Sequence, residues 1–162
     1  MPRRPGAGPR RAPRAPLDYQ RALDTAFRAL ARRARSRAEI AALLAARGAS
    51  ATLIHRVLGR LRALGYVDDD KLAAELVERW KERGFGSLRI QAELSRLEID
   101  SGLAERMTLD AREERDRARR LLERSFSPAE LGDRKGLVRA ARFLAGRGYP
   151  AEVIDSLFDV CD

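Results

Sequence analysis

The chain has 162 residues, 44% hydrophobic, 6% aromatic and 35% charged, with a formal net charge of +9 and a pI near 10.8. One ordinary domain fits this length, and so basic a balance favours an anionic partner, or one that handles nucleic acid. A single cysteine, Cys161, excludes an intramolecular disulfide, and no apolar run nears the ~18 residues that a membrane span requires.

Residues 1–16 carry five Arg, no acid and no apolar periodicity, so a disordered basic Pro/Arg tail is expected. Such a tail can act as an electrostatic arm for phosphates or be an inert solvated extension. Lacking an apolar h-region, it does not read as a secretory signal, and a cytoplasmic location is expected.

Leu23, Ala26, Phe27 and Leu30 follow helical spacing and predict a first helix over 18–33. Ser36 with Glu39 three residues on is a capping box that opens a second helix, which stops at Gly48. A third helix, from Ser50, carries Leu53, Ile54, Val57, Leu58, Leu61 and Leu64 before Gly65. The next unit opens on Asp68, Asp69 and Asp70, whose carboxylates suit a helix N-terminus, and Leu72, Leu76, Val77 and Trp80 form its apolar stripe. After the Gly84/Gly86 break comes a helix bearing Ile90, Leu94 and Leu97, then a shorter one capped by Asp100 through Leu103 and Met107. A third unit starts near Glu113, is lengthened by the Ser127, Pro128, Glu130 cap, and continues through Leu137–Arg147 and a last helix from Pro150 to Cys161. Strand alternation is missing throughout. The expected fold class is all-α.

The units repeat at a spacing of 50 residues: Ile40, Ile90 and Ala140 correspond, as do Leu44, Leu94 and Leu144, then Leu53, Leu103 and Val153. This predicts an elongated, curved stack of three tandem three-helix, helix-turn-helix-like repeats, over 17–66, 67–110 and 111–162. Each is too small to hold a stable core alone, so neighbours must pack on one another. Charge is unevenly shared. Residues 17–66 carry ten basic and three acidic side chains, residues 67–110 seven and eleven, and residues 111–162 eleven and ten. The N-terminal third is cationic and the middle slightly acidic.

A DNA-reading helix needs base-edge donors at its N-terminal end, and Ser50, Ala51, Thr52, Leu53 and Ile54 are poor for that purpose. His55 has no partner at ligand spacing, so no metal is expected. Gly84-Phe85-Gly86 is superficially similar to a phosphate loop but lacks a preceding strand and any Gly-Lys-Ser/Thr. Nothing assembles an active site. The expectation is a protein that is not an enzyme, with no cofactor and no small-molecule ligand.

Four stretches resemble the RecX family, regulators of the RecA recombinase: SRAEIAALLAARG (36–48), LGYVDDDKL (64–72), RGFGSLRIQAEL (83–94) and ARFLAGRGYPAEVI (141–154). The resemblance covers roughly 18–160, with the four stretches in the family's order and spacing. Two positions depart from the pattern. Leu97 and Glu98 stand where the family has a basic residue and glycine, and Pro150 stands where Ser50 and Asp100 cap the other units. The resemblance implies a monomer lying in the groove of the RecA–ATP–single-stranded DNA filament, across more than one protomer. It further implies inhibition of RecA ATP hydrolysis, strand exchange and SOS coprotease activity, with weak direct binding to single- or double-stranded DNA. A general, sequence-independent nucleic-acid-binding helical module is the alternative.

The candidate partner or DNA contacts are cationic. Arg32, Arg33, Arg35 and Arg37 crowd the first inter-helix connection, where they can meet phosphates or carboxylates, or stay solvated. Arg56 and Arg60 lie one turn apart, opposite Leu53, Val57 and Leu61. Lys81, Arg83 and Arg89 flank the middle glycine break and match basic positions of the family pattern. Residues 112–124, six Arg among four acids, read as a helix laced by its own salt bridges.

Overall fold

The computed structural model describes residues 17–99, 102 and 110–158. Within them the chain is helical, without strands: α1 (Tyr19–Leu30), α2 (Arg37–Ala45), α3 (Ala51–Ala63), α4 (Asp69–Glu82), α5 (Ser87–Arg96), α6 (Ala111–Ser125), α7 (Pro128–Leu131), α8 (Arg134–Gly146) and α9 (Ala151–Phe158). The basic tail 1–16, Cys161 and most of the helix expected through Leu103 and Met107 lie outside the described residues.

Side chains satisfy the orphan N–H groups at most helix starts. Asp18 accepts from the Arg21 N–H at 2.8 Å, Ser50 from Leu53 at 3.2 Å, and Asp68 from Lys71 at 3.0 Å. Both expected capping boxes form, Ser36 with Glu39 and Ser127 with Glu130. Caps also shift boundaries. Asp110 starts α6 at Ala111 rather than near Glu113, and Asp133, accepting from Gly136, starts α8 at Arg134 rather than Leu137. α1 ends at Leu30, short of Arg33, where the Arg32 N–H turns back to the Ala29 carbonyl at 3.3 Å and tightens the chain.

Three separate apolar clusters form. α1–α3 enclose Ala22, Ala26, Ile40, Leu44, Val57, Leu61 and Val67. α4 and α5 enclose Leu72, Ala73, Val77, Phe85, Ile90, Leu94 and Ile99, with Trp80 half-buried against them. α6, α8 and α9 enclose Ala118, Leu121, Leu122, Ala140, Leu144, Tyr149, Val153 and Ile154. Ile40, Leu94 and Leu144, which the 50-residue spacing places at core positions, are fully buried.

One device joins each group to the next. The Ser36 hydroxyl, at the start of α2, donates to the Leu97 carbonyl at the end of α5 at 2.7 Å. The Gly86 N–H, at the start of α5, donates to the Arg147 carbonyl at the end of α8 at 2.9 Å. The separation along the chain is 61 residues in both. A helix N-terminus thus meets a helix C-terminus, pairing opposite ends of two dipoles and satisfying an orphan carbonyl. An acid from the following group completes each joint. Asp69 accepts from the Arg37 N–H at 2.9 Å, and Glu114 from the Ser87 N–H at 2.6 Å.

The departure at Glu98 is visible in the backbone. Gly48 and Gly148 take φ of +85° and +81° just past the ends of α2 and α8, and Glu98 takes φ of +51° at the equivalent place after α5. The Ile99 N–H still reaches the Leu94 carbonyl at 3.2 Å, as Ala49 reaches Leu44 at 3.1 Å. The helix therefore stops in the usual left-handed way, on a residue whose Cβ disfavours it.

Candidate interaction surface

The connection between α1 and α2 does not present its four arginines as one patch. Arg33 turns back to grip Glu39 with both terminal nitrogens, one at 3.2 Å, and also donates to the Ala34 carbonyl at 3.0 Å. Glu39 in turn accepts from the Ser36 N–H at 3.1 Å. Although burial pushes the Glu39 carboxyl up, the Arg33 and Ser36 hydrogen bonds outweigh it and hold that carboxyl below the usual range. Arg35 is half-buried, its Nε donating to the Ala29 carbonyl at 3.4 Å and its Nη1 lying 3.7 Å from Glu39. Arg32 is exposed beside it, facing a cleft between α1 and α2. The Arg37 side chain is exposed, while its N–H serves the first joint.

On α3, Arg56 and Arg60 are both exposed, and the Arg56 guanidinium stands 4.8 Å from the Tyr19 ring centroid. In the middle group the three cations differ. Lys81 is mostly covered, bonded to Glu78 at 2.9 Å and lying 3.7 Å from Glu113 across the second joint. Arg83 and Arg89 are exposed, and their guanidinium carbons lie 5.5 and 4.0 Å from the Phe85 ring centroid. Arg89 also lies 3.9 Å from Glu93.

The charged run 112–124 does not lace its own helix: among the described residues no ion pair joins two of its members, and side chains from it turn to the middle group instead. Glu114 is 2% exposed and caps α5 from the neighbouring group. Arg117 donates to the Lys81 and Phe85 carbonyls at 3.0 and 2.9 Å. Arg147, from the end of α8, donates to the Arg83 carbonyl at 2.8 Å. Arg117 and Tyr149 line a cavity of about 380 Å³ at the second joint. Burial pushes the Tyr149 hydroxyl pKa up, against the opposing pull of Arg117. Counting charges along the helix misses this role, because only the docked neighbour shows which carboxylate is enclosed. The one legible signal was that Glu114 and Arg117 share the face of Ala118 and Leu121.

A common joint repeated along the chain and three small cores define an all-α helical-repeat protein. Residues 22–61 match the family model "RecX, first three-helix domain", and residues 113–158 match "RecX, third three-helix domain". The chain is 36% identical over 132 residues to the regulatory protein RecX of Halorhodospira halophila, covering 81% of this chain and 82% of that one. It is 40% identical over 134 residues to the regulatory protein RecX of Mycobacterium sp. (strain KMS), covering 76% and 72%. Its fold is similar to the crystal structure of RecX from Lactobacillus salivarius, with a TM-score of 0.72 at 19% identity over 87% of this chain and 94% of that one. This chain belongs to the RecX family of regulatory proteins. No helix among the described residues is long and apolar enough to cross a membrane.

Proposed function

We propose that this protein is a cytoplasmic monomer that lies in the groove of a RecA–ATP–single-stranded DNA filament and restrains it. Its units, taken as 17–66, 67–110 and 111–162, touch more than one protomer. Arg32, Arg35, Arg37, Arg56, Arg60, Arg83 and Arg89 face the partner, while Arg33 and Lys81 act mainly through the groups they hold. The consequence is slower DNA-dependent ATP hydrolysis, slower strand exchange and weaker coprotease action on the SOS repressor.

The repeated joint carries this reading, together with the membership just given. Repeats set at one offset, each presenting cations, suit a partner that is itself a repeating array, where several weak contacts gain from high effective concentration. Titrating the full chain into RecA, ATP and single-stranded DNA tests it. ATP turnover should fall at amounts well below one per RecA protomer, and Arg56→Ala/Arg60→Ala should need several-fold more protein. Unchanged ATP turnover at equimolar amounts would sink the proposal. The cationic first group also favours a second reading, a general nucleic-acid-binding module. Equal retention on bare DNA and on RecA-coated DNA at moderate salt would select it.

A further inference from the structure

We infer that the cleft between α1 and α2 is a binding site for the phosphodiester backbone of nucleic acid, built from Arg28, Arg32, Arg35 and Arg47 around Thr25. The cleft encloses about 210 Å³ and is lined by these residues with Ala29 and Leu43, and by no carboxylate. Thr25, Arg28 and Arg32 share one face of α1 and its end, Arg35 comes from the connection, and Arg47 comes from just past α2. Only folding brings Arg47 to the other three.

Two of the guanidiniums are held in place. Arg47 donates to the hydroxyl of Thr25, itself 8% exposed, at 3.2 Å. Arg35 is fixed by the Ala29 carbonyl at 3.4 Å, with Glu39 lying 3.7 Å from its outer nitrogen. The side chains of Arg28 and Arg32 are exposed and make no hydrogen bond or ion pair among the described residues. Like charges one helical turn apart repel, so α1 by itself gains nothing from this pair. Guanidinium forks match phosphate oxygens in shape and keep their charge at any physiological pH. The lining has no aromatic platform for bases and no carboxylate or amide to read their edges, so the site takes backbone without reading sequence.

The site stands apart from the filament reading, because its test contains no RecA. Fluorescence anisotropy of a labelled oligothymidylate, titrated with the full chain at several salt concentrations, measures it. Arg28→Ala/Arg47→Ala should bind about tenfold more weakly, and the log–log salt slope should flatten by about 0.7 for each phosphate no longer neutralised. Arg28→Ala/Arg32→Ala, which leaves the Thr25–Arg47 bond intact, should behave alike. Arg62→Ala/Arg119→Ala removes the same charge from exposed positions elsewhere and should cost less than about threefold. Equal losses in the control and the cleft variants, or no loss in the cleft variants, would overturn the site. An oligoglutamate of matched charge that displaces the probe as well as unlabelled oligothymidylate would overturn the phosphodiester assignment.

Discussion

The two joints share one plan and differ in how closely the chains approach. At the first, a side chain bridges the gap: the Ser36 hydroxyl reaches the Leu97 carbonyl at 2.7 Å. At the second, main chain meets main chain, with the Gly86 and Leu88 N–H groups donating to the Arg147 and Gly148 carbonyls at 2.9 and 3.0 Å. Glycine makes the difference. A Cβ on Gly86 would overlap the Gly148 carbonyl and the Tyr149 nitrogen, and one on Gly148 would lie 2.5 Å from the Arg89 Cβ. The second joint also gains the Arg117 and Arg147 guanidiniums as donors to carbonyls of the middle group. The middle and last groups are therefore more closely bound than the first and middle.

Breaking that asymmetry should give the largest effect. Gly86→Ala forces two backbones apart and should destabilise the protein by about 3 kcal/mol, seen as a lower urea midpoint. A neutral result would mean that the close approach does not hold in solution. Glu114→Ala should cost about 2 kcal/mol, because it leaves the buried Ser87 N–H without an acceptor. Asp69→Ala, at the more open first joint, should cost nearer 1 kcal/mol, since water can replace the carboxylate on Arg37. Equal costs would remove the distinction between the joints.

Glu98→Gly tests the strained end of α5. Glycine accepts the positive φ freely, so thermal unfolding should show a gain of about 1 kcal/mol. Acid titration gives the smallest effect. The Glu39 carboxyl is depressed on folding, so its contribution is present above the unfolded value of about 4.3 and is lost as pH falls through the lower folded value. Glu39→Gln should therefore flatten the acid limb of the stability profile while costing under about 1 kcal/mol at neutral pH.

Much of the local structure was legible from residue order. The capping boxes at Ser36 and Ser127, the stripes through Leu44, Leu94 and Leu144, and the glycine stops all follow from interactions within a few residues of chain. The departure at Glu98 was readable too, as a missing glycine. The boundaries at Asp110 and Asp133 were not, because either acid could equally have been one more solvated charge.

The interaction surface divided the same way. That positive charge concentrates before residue 67 can be counted directly, and it pointed to Arg32, Arg33, Arg35 and Arg37. Only the folded chain sorts them, turning Arg33 onto Glu39 and setting Arg32 and Arg35 beside Arg28 and Arg47.

Sequence by itself determined the helices, their period and the kind of partner their charge suits, because propensity, capping and amphipathic spacing act over one or two turns. The tertiary structure alone decided which arginines converge and how closely neighbouring groups dock. Those outcomes depend on residues about 60 positions apart, such as Ser36 with Leu97 and Gly86 with Arg147, and on whether a single Cβ leaves room between them.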